Sequence, residues 1–428
     1  MKIKPARPDR SILSRRAFLA TTGGAILAMS PAFARDAIHD VIQTPSREWA
    51  GGFDAATVGP ADVLSSTPTL SPQIVEASRA AIAEYSGIAS RGGWPIVPAL
   101  QGMGIGFRDA AVVTLRQRLM ISRDLAPMQG VPEALDSYVE AALKRFQARH
   151  GIDVDGVVGE STLAALNVPA EVRLSQLTTN LDRLSKFATA STSDRFVMVN
   201  IPAARVEAVE ENRIVSLHTA VVGRVDRQSP VLTSKIHEIN FHPFWTVPAS
   251  IIRRDLIPVM RKDPEYLTRY RIRIYDPQGV ELNPKQVDWM TDEATRYLFR
   301  QDPWEDNSLG TVKINFPNAH AVYMHDTPNK SLFNDDYRFD SSGCVRIQNV
   351  RDLVKWLLRD TPGQTRDQVD EEFRSGERLD VRLADPIPVH WSYITAWATE
   401  EGIVNFRNDI YGLDNIGQYA AGTGARPL

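Results

Sequence analysis

Hydrophobic positions along the chain follow two rhythms, and the change from one to the other divides it. From Ser71 to Tyr85 the spacing is helical, and Gly92-Gly93-Trp94-Pro95 makes a turn with an aromatic anchor. Val112, Leu115 and Leu119 sit at i, i+3, i+7, and Val139, Leu143 and Phe146 at i, i+4, i+7, so each set marks one helix face. A turn-rich loop from His150 to Gly159 leads to a short helix, Glu160 to Leu166, that closes at Asn167 before Pro169. From Arg195 the period becomes that of strands: 196–201, 205–209, 218–223, and an extended run continuing through 241–248. A polar segment with helical stretches, 253–306, is too long for a plain connection, and segments of this size usually serve as lids or binding loops. Strands resume at 312–316 and 321–325.

The 428 residues allow two to three domains, and 43% hydrophobic with 24% charged residues is the balance of a globular protein with real cores. Collagen-like, coiled-coil and wholly disordered chains are excluded. The formal net charge is -3 although the first 34 residues are basic, so the remainder is more acidic still. Without a long basic run the chain is a poor nucleic-acid binder, because phosphate neutralisation supplies most of that affinity.

The basic start contains Lys2, Lys4, Arg7 and Arg10, followed by Ser14-Arg15-Arg16-Ala17-Phe18-Leu19, which matches the twin-arginine export pattern. A weakly apolar stretch ends in Ala32-Phe33-Ala34, a small-residue cleavage pattern. At about 14 residues, broken by Thr21-Thr22-Gly23-Gly24, it is short of the ~20 that span a bilayer. The expectation is a periplasmic protein cleaved after Ala34, with no transmembrane helix in the mature chain. Residues 35–70, rich in Ala, Pro, Ser and Thr, are expected to form a tether. With one cysteine no intrachain disulfide is possible. An odd thiol in an oxidising compartment is buried and inert, paired between chains, or kept for its thiolate.

The local sequence favours the last. Tyr323-Met324-His325-Asp326-Thr327-Pro328 ends a strand, and Ser341-Ser342-Gly343-Cys344-Val345-Arg346-Ile347 carries the only cysteine. Strand alternation puts Tyr323 and His325 on one face and Met324 and Asp326 on the other. Asn349 is expected to cap a helix whose face is Val350, Leu353, Val354 and Leu357. As chemistry, the parts suit acyl transfer: an imidazole activates the thiol, and the N–H groups of Gly343 and Cys344 offer an oxyanion hole. Arg346 would share the cysteine's face and hold a substrate carboxylate. A zinc site built from His320, His325 and Cys344 lacks the short paired spacing that zinc ligands show.

These residues resemble the L,D-transpeptidase family, whose pattern is a His-Gly/Asp-Thr strand end followed by Ser-His/Ser-Gly-Cys-Val/Ile-Arg. The Phe146-Gln147, His150-Gly151, Asp155-Gly156, Gly159 and Thr162-Leu163 pattern resembles the small helical peptidoglycan-binding domain of wall enzymes. Trp245-Thr246-Val247-Pro248, Arg300-Gln301, Phe316-Pro317-Asn318 and Ala396-Trp397 look like the larger, multidomain periplasmic branch. The resemblance implies an α+β multidomain fold, with a mostly β catalytic domain over 195–415, an inserted lid at about 253–306 and a tail over 416–428. It further implies a peptidoglycan-binding-like domain over 99–168, flanked by helical scaffold segments 71–98 and 169–194.

In that family Cys344 would be the nucleophile and His325 its base, oriented by a backbone carbonyl, so Asp326 is not expected to complete a triad. Ser341, Gly343 and Arg346 would be the remaining motif positions, with Gly343 as oxyanion-hole backbone. Ser341, Ser342, Arg346, Tyr323 and Trp245 are the candidate substrate contacts, Tyr323 and Trp245 suiting core or cleft wall as well. The implied reaction joins peptidoglycan stem peptides through a thioester, releases D-alanine, and needs no metal or organic cofactor. Water in place of the acceptor amine would make the protein a hydrolase. An amine on an envelope protein is another acceptor, and a wall-binding protein without catalysis is the remaining alternative.

Overall fold

The computed structural model describes residues 66–99, 103–127, 130–190 and 193–417. The export leader, most of the tether and all but the first two residues of the tail lie outside them. The Ser71 hydroxyl accepts the Ile74 N–H at 3.4 Å and Pro72 takes the first helical position, so α1 (Pro72–Ser90) begins where a cap and a fixed φ coincide. Helices α2 (Ala111–Ile121), α3 (Ser137–His150) and α4 (Glu160–Leu166) follow, and Leu115, Leu119, Val139, Leu143, Phe146 and Leu166 form their closed core. The long α5 (Ala170–Ala190) packs back along α1. The end of the expected tether is docked: Thr69 donates from its N–H and hydroxyl to the buried Glu207 carboxylate at 3.0 and 2.6 Å.

The strand region comprises β1 (Arg195–Asn200), β2 (Arg205–Glu210), β3 (Arg213–Gly223) and β4 (Leu232–Phe241). After them come β5 (Trp245–Thr246), β6 (Ile272–Tyr275), β7 (Glu281–Leu282) and β8 (Leu298–Gln301). The chain continues with β9 (Val312–Asn315), β10 (Met324–His325), β11 (Phe339–Ser341), β12 (Val345–Ile347) and β13 (Leu379–Ser392). Nine of these form one sheet in the order β11-β3-β12-β10-β9-β4-β13-β1-β2, and β2 also pairs with β3, which closes the sheet upon itself. Val199, Ile239, Phe241, Ile314, Met324, Val345 and Trp391 fill it, and α6 (Val350–Leu358) and α7 (Arg366–Ser375) add Leu353, Val354 and Phe373. The molecule is therefore an α+β multidomain protein, with a helical N-terminal part and a β-rich region.

Three local expectations are corrected. The run through 241–248 is not one strand: β4 stops at Phe241, His242 takes a left-handed φ of 43°, and Trp245–Thr246 joins a different sheet. The inserted segment holds a four-stranded sheet, β5-β8-β6-β7, and its own core from Trp245 to Leu309, so the lobe is wider than 253–306. Its strands of two to four residues carry too little alternation to be read from sequence. Asn349 precedes α6 as expected, but at φ 51° and ψ 38° its side chain makes no capping bond.

The hairpin of β14 (Ala396–Ala398) and β15 (Val404–Phe406) packs against the helices. Phe406 stacks on His150 at 5.5 Å between ring centres, and His150 stacks on Phe146 at 3.8 Å. Arg149 grips the buried Asp124 carboxylate with two bonds of 2.6 and 2.7 Å and donates to the Val404 carbonyl at 3.0 Å.

Candidate functional site

The cysteine and histidine reach one place through a parallel pairing. Strands β10 and β12 lie side by side with Met324 opposite Val345 and His325 opposite Arg346. Because side chains alternate, Met324 and Val345 enter the core while Tyr323, His325, Cys344 and Arg346 project from the other face. On the far side of β10, β9 puts Lys313 opposite His325, on that same face. Two cations thus flank the thiol and the imidazole.

His325 is oriented as expected. Its Nδ1–H donates to the Asp326 backbone carbonyl at 2.5 Å, which leaves Nε2 as the basic nitrogen. The Asp326 carboxylate turns the other way, accepting from Thr311 N–H and hydroxyl at 3.0 and 2.8 Å and pairing with Lys330. Burial first, then the charge of Arg346, lowers the imidazole pKa to about 3, although the Asp326 carbonyl opposes the shift. Burial also raises the Cys344 thiol above its ordinary value, opposed by hydrogen bonds from Tyr323 and by the charges of Lys313 and Arg346. At neutral pH both groups therefore rest uncharged. Among the described residues no hydrogen bond joins them, and such contacts in unliganded sites tighten when substrate arrives.

The turn before the cysteine is held rigidly. Gly343 has φ 107°, and a Cβ there would lie 3.3 Å from the Gln228 carbonyl, so the position suits glycine alone. Its carbonyl accepts from the Ser229 hydroxyl at 2.9 Å, and its N–H donates to the Ser341 hydroxyl at 3.1 Å. The expected oxyanion donor at Gly343 is thus engaged inside the turn, and the Cys344 N–H is left without a partner among the described residues. Ser341 is 1% exposed and ties Gly343 to the Cys344 carbonyl, so it shapes the turn. Ser342 accepts from Arg227 at 3.0 Å on the outer side of the turn.

Trp245 is buried in the core of the inserted lobe. Tyr323 meets His325 edge-on at 5.6 Å, and its ring centre lies 4.4 Å from the Lys313 ammonium. Arg346 is buried beside His325, with Asp340 as its main opposite charge.

Sequence reading missed Lys313, Arg227 and Ser229. The alternation of 312–316 assigns Lys313 to the outer face, but only the β9–β10 pairing reveals what that face holds. Arg227 carries no local signal. It binds Asp255 of the lobe with two bonds of 2.7 and 3.0 Å, fastening the lobe to the loop behind the cysteine turn.

In the helical domain the motif residues knit a loop. The Gln147 amide donates to Asp155 at 2.7 Å and accepts from the Gly156 N–H at 2.8 Å, while Thr162 and His150 are buried. This packing accounts for the motif without a ligand.

Fold and site together define a multidomain protein whose closed sheet displays a thiol and an imidazole under an inserted lobe. Residues 194–368 match the L,D-transpeptidase catalytic domain family, and residues 108–166 match the family described as "Putative peptidoglycan binding domain". The β-rich region belongs to the L,D-transpeptidase family and is joined to a domain of the peptidoglycan-binding family. A Haemophilus influenzae protein named "Putative L,D-transpeptidase" is 35% identical over 219 residues, 51% of this chain and 44% of that protein. The chain thus matches less than half the length of that relative.

A solved L,D-transpeptidase from Stackebrandtia nassauensis shares 13% identity over 70% of this chain and 96% of its own, with a TM-score of 0.25. One from Mycobacterium smegmatis shares 13% over 46% and 58%, with a TM-score of 0.22. Scores this low add nothing to the assignment, which rests on the sequence matches.

Proposed function

We propose that this chain is a cysteine-dependent L,D-transpeptidase that cross-links peptidoglycan stem peptides. The observation that carries the reading is the shared sheet face of Cys344 and His325, with Nδ1 of the histidine fixed by the Asp326 carbonyl and Nε2 left basic. As the Cys344 sulfur attacks the carbonyl between the third residue of a donor tetrapeptide and its terminal D-alanine, the S–H proton passes to Nε2. The C–N bond then breaks, the proton goes to the departing D-alanine amine, and a thioester remains. An acceptor amine attacks that thioester, gives its proton through His325, and restores the thiol. The Cys344 N–H, without a partner among the described residues, is a donor available to the developing oxyanion. Lys313 and Arg346 balance the negative charge that passes through the sulfur.

The matching families support peptidoglycan as substrate. Twin-arginine export to the periplasm is read from residues 1–34 alone, and no described helix is long and apolar enough to cross a membrane.

Intact-mass analysis with purified tetrapeptide muropeptides tests the reading. Wild type should gain the acyl mass, release D-alanine and form dimers. Cys344→Ala should do none of these, and His325→Ala should form the adduct at least ~100-fold more slowly. Trimmed tripeptides without dimers would make the protein a hydrolase, and cross-linking only to an added protein amine would reassign the acceptor. An undiminished Cys344→Ala would overturn the nucleophile.

A further inference from the structure

The cysteine turn borders a recess of about 270 Å³, whose lining includes Arg227, Gln228, Ser250, Arg254, His320 and Gly343. Among the described residues no carboxylate lines it. Its charges are not equivalent. The Arg227 guanidinium is taken up by Asp255 and Ser342, and the neighbouring Arg253 pairs with Asp292 at 2.9 Å. Arg254 is exposed and has no carboxylate partner among the described residues, so its guanidinium is available to a ligand. It lies in the π-helical turn Ile252–Leu256, a widening of the helix often found at functional sites.

We propose that this recess binds a carboxylate of the acyl-donor peptide, with Arg254 as its principal contact and His320 as a second donor. The inference rests on the reading of Cys344 as acyl-forming nucleophile. A guanidinium presents paired N–H groups that match a carboxylate, and with Asp255 engaged by Arg227 no carboxylate pairs with Arg254 among the described residues. Reach agrees. One extended residue advances the chain by about 3.3–3.6 Å, so a carboxylate one residue from the scissile carbonyl falls beside Cys344, where the recess begins at Gly343. The terminal carboxylate of the departing residue, three bonds from the scissile carbonyl, meets this condition. The side-chain carboxylate of a diaminopimelate-type third residue, six bonds away, extends about twice as far and would enter the recess more deeply.

Steady-state kinetics of the purified full chain with three synthetic tetrapeptide donors test the proposal: the free acid, the C-terminal amide, and the third-residue side-chain amide. Arg254→Gln should raise KM for the free acid by about tenfold, the order expected for losing one charge-assisted pair, with kcat within about twofold. Arg254→Lys should recover part of the loss. Amidating the carboxylate that occupies the recess should weaken wild type to the level of Arg254→Gln and remove the difference between them, which identifies the source. An unchanged KM in Arg254→Gln, or an equal rise for all three donors, would overturn the proposal. Cys344→Ala run alongside keeps the two readings apart: residual D-alanine release there sinks the nucleophile, whereas Cys344-dependent turnover indifferent to Arg254 sinks only the recess.

Discussion

Arg227 and Asp255 face each other through two parallel bonds of 2.7 and 3.0 Å, joining the loop after β3 to the first helical turns of the inserted lobe. The same guanidinium touches Ser342, two residues before the nucleophile. The pair couples lobe position to the shape of the cysteine turn. Asp255→Asn should loosen the lobe by roughly 1–3 kcal/mol, since it leaves a largely buried guanidinium with only the more distant Asp226 at 3.7 Å as its ion-pair partner. Faster amide exchange across 249–260, with β9 and β10 unchanged, is the expected signature. Identical exchange in wild type and variant would show that the lobe is held by its apolar contacts alone.

His325 makes the protein sensitive to acid. Its pKa is lowered from 6.5 to about 3 in the folded state, so between those values the unfolded chain binds a proton that the folded chain refuses. Stability from this group is complete above 6.5 and declines as pH falls toward about 3, at roughly 1.4 kcal/mol per pH unit within the window. The buried His150, His218 and His390 shift in the same direction. Urea unfolding at pH 7, 6 and 5 should give a steeper loss for wild type than for His325→Gln. Equal slopes would mean that the imidazole is not held neutral by the fold.

Lys313 should tune the thiol. Its charge, with that of Arg346, opposes the burial that raises Cys344, so removing it should raise the thiol pKa further. The pH midpoint of iodoacetamide alkylation should move upward in Lys313→Met and return toward wild type in Lys313→Arg. A midpoint unmoved by Lys313→Met would leave Arg346 and Tyr323 as the groups that set thiol reactivity.

Phe406 joins two regions that sequence boundaries separate. It touches Tyr85, stacks on His150 and lies beneath Arg173 at 4.6 Å. Truncation to alanine should cost about 3–5 kcal/mol, the usual toll for a buried phenylalanine. Calorimetry of wild type should show the helical and β-rich regions melting together, and Phe406→Ala should lower or split that transition. Two separate transitions in wild type would show that the interface contributes little.

Legibility in the sequence followed distance along the chain. Helices 111–121, 137–150 and 160–166 announced themselves by spacing, and Cys344 and His325 by short motifs that each hold their own turn chemistry. Lys313 and Arg227 were invisible because their roles depend on which strands become neighbours, or on a lobe that reaches back across the sheet. Hydroxyl partners were equally hidden. Ser341 and Ser229 are ordinary serines until the turn folds, whereupon one takes the Gly343 N–H and the other supports its carbonyl. Trp245 allowed two readings, because an aromatic at a strand end suits a cleft wall and a lobe interior alike.

The stacking of Phe146, His150 and Phe406 bears on how such chains can be reassembled in evolution or by design. A crossover placed in the linker after Leu166 would carry the aromatic slot to one descendant and its plug to the other, leaving each with a greasy wound. Viable shuffling must move the β14–β15 hairpin together with the helices, even though more than two hundred positions separate them in the gene.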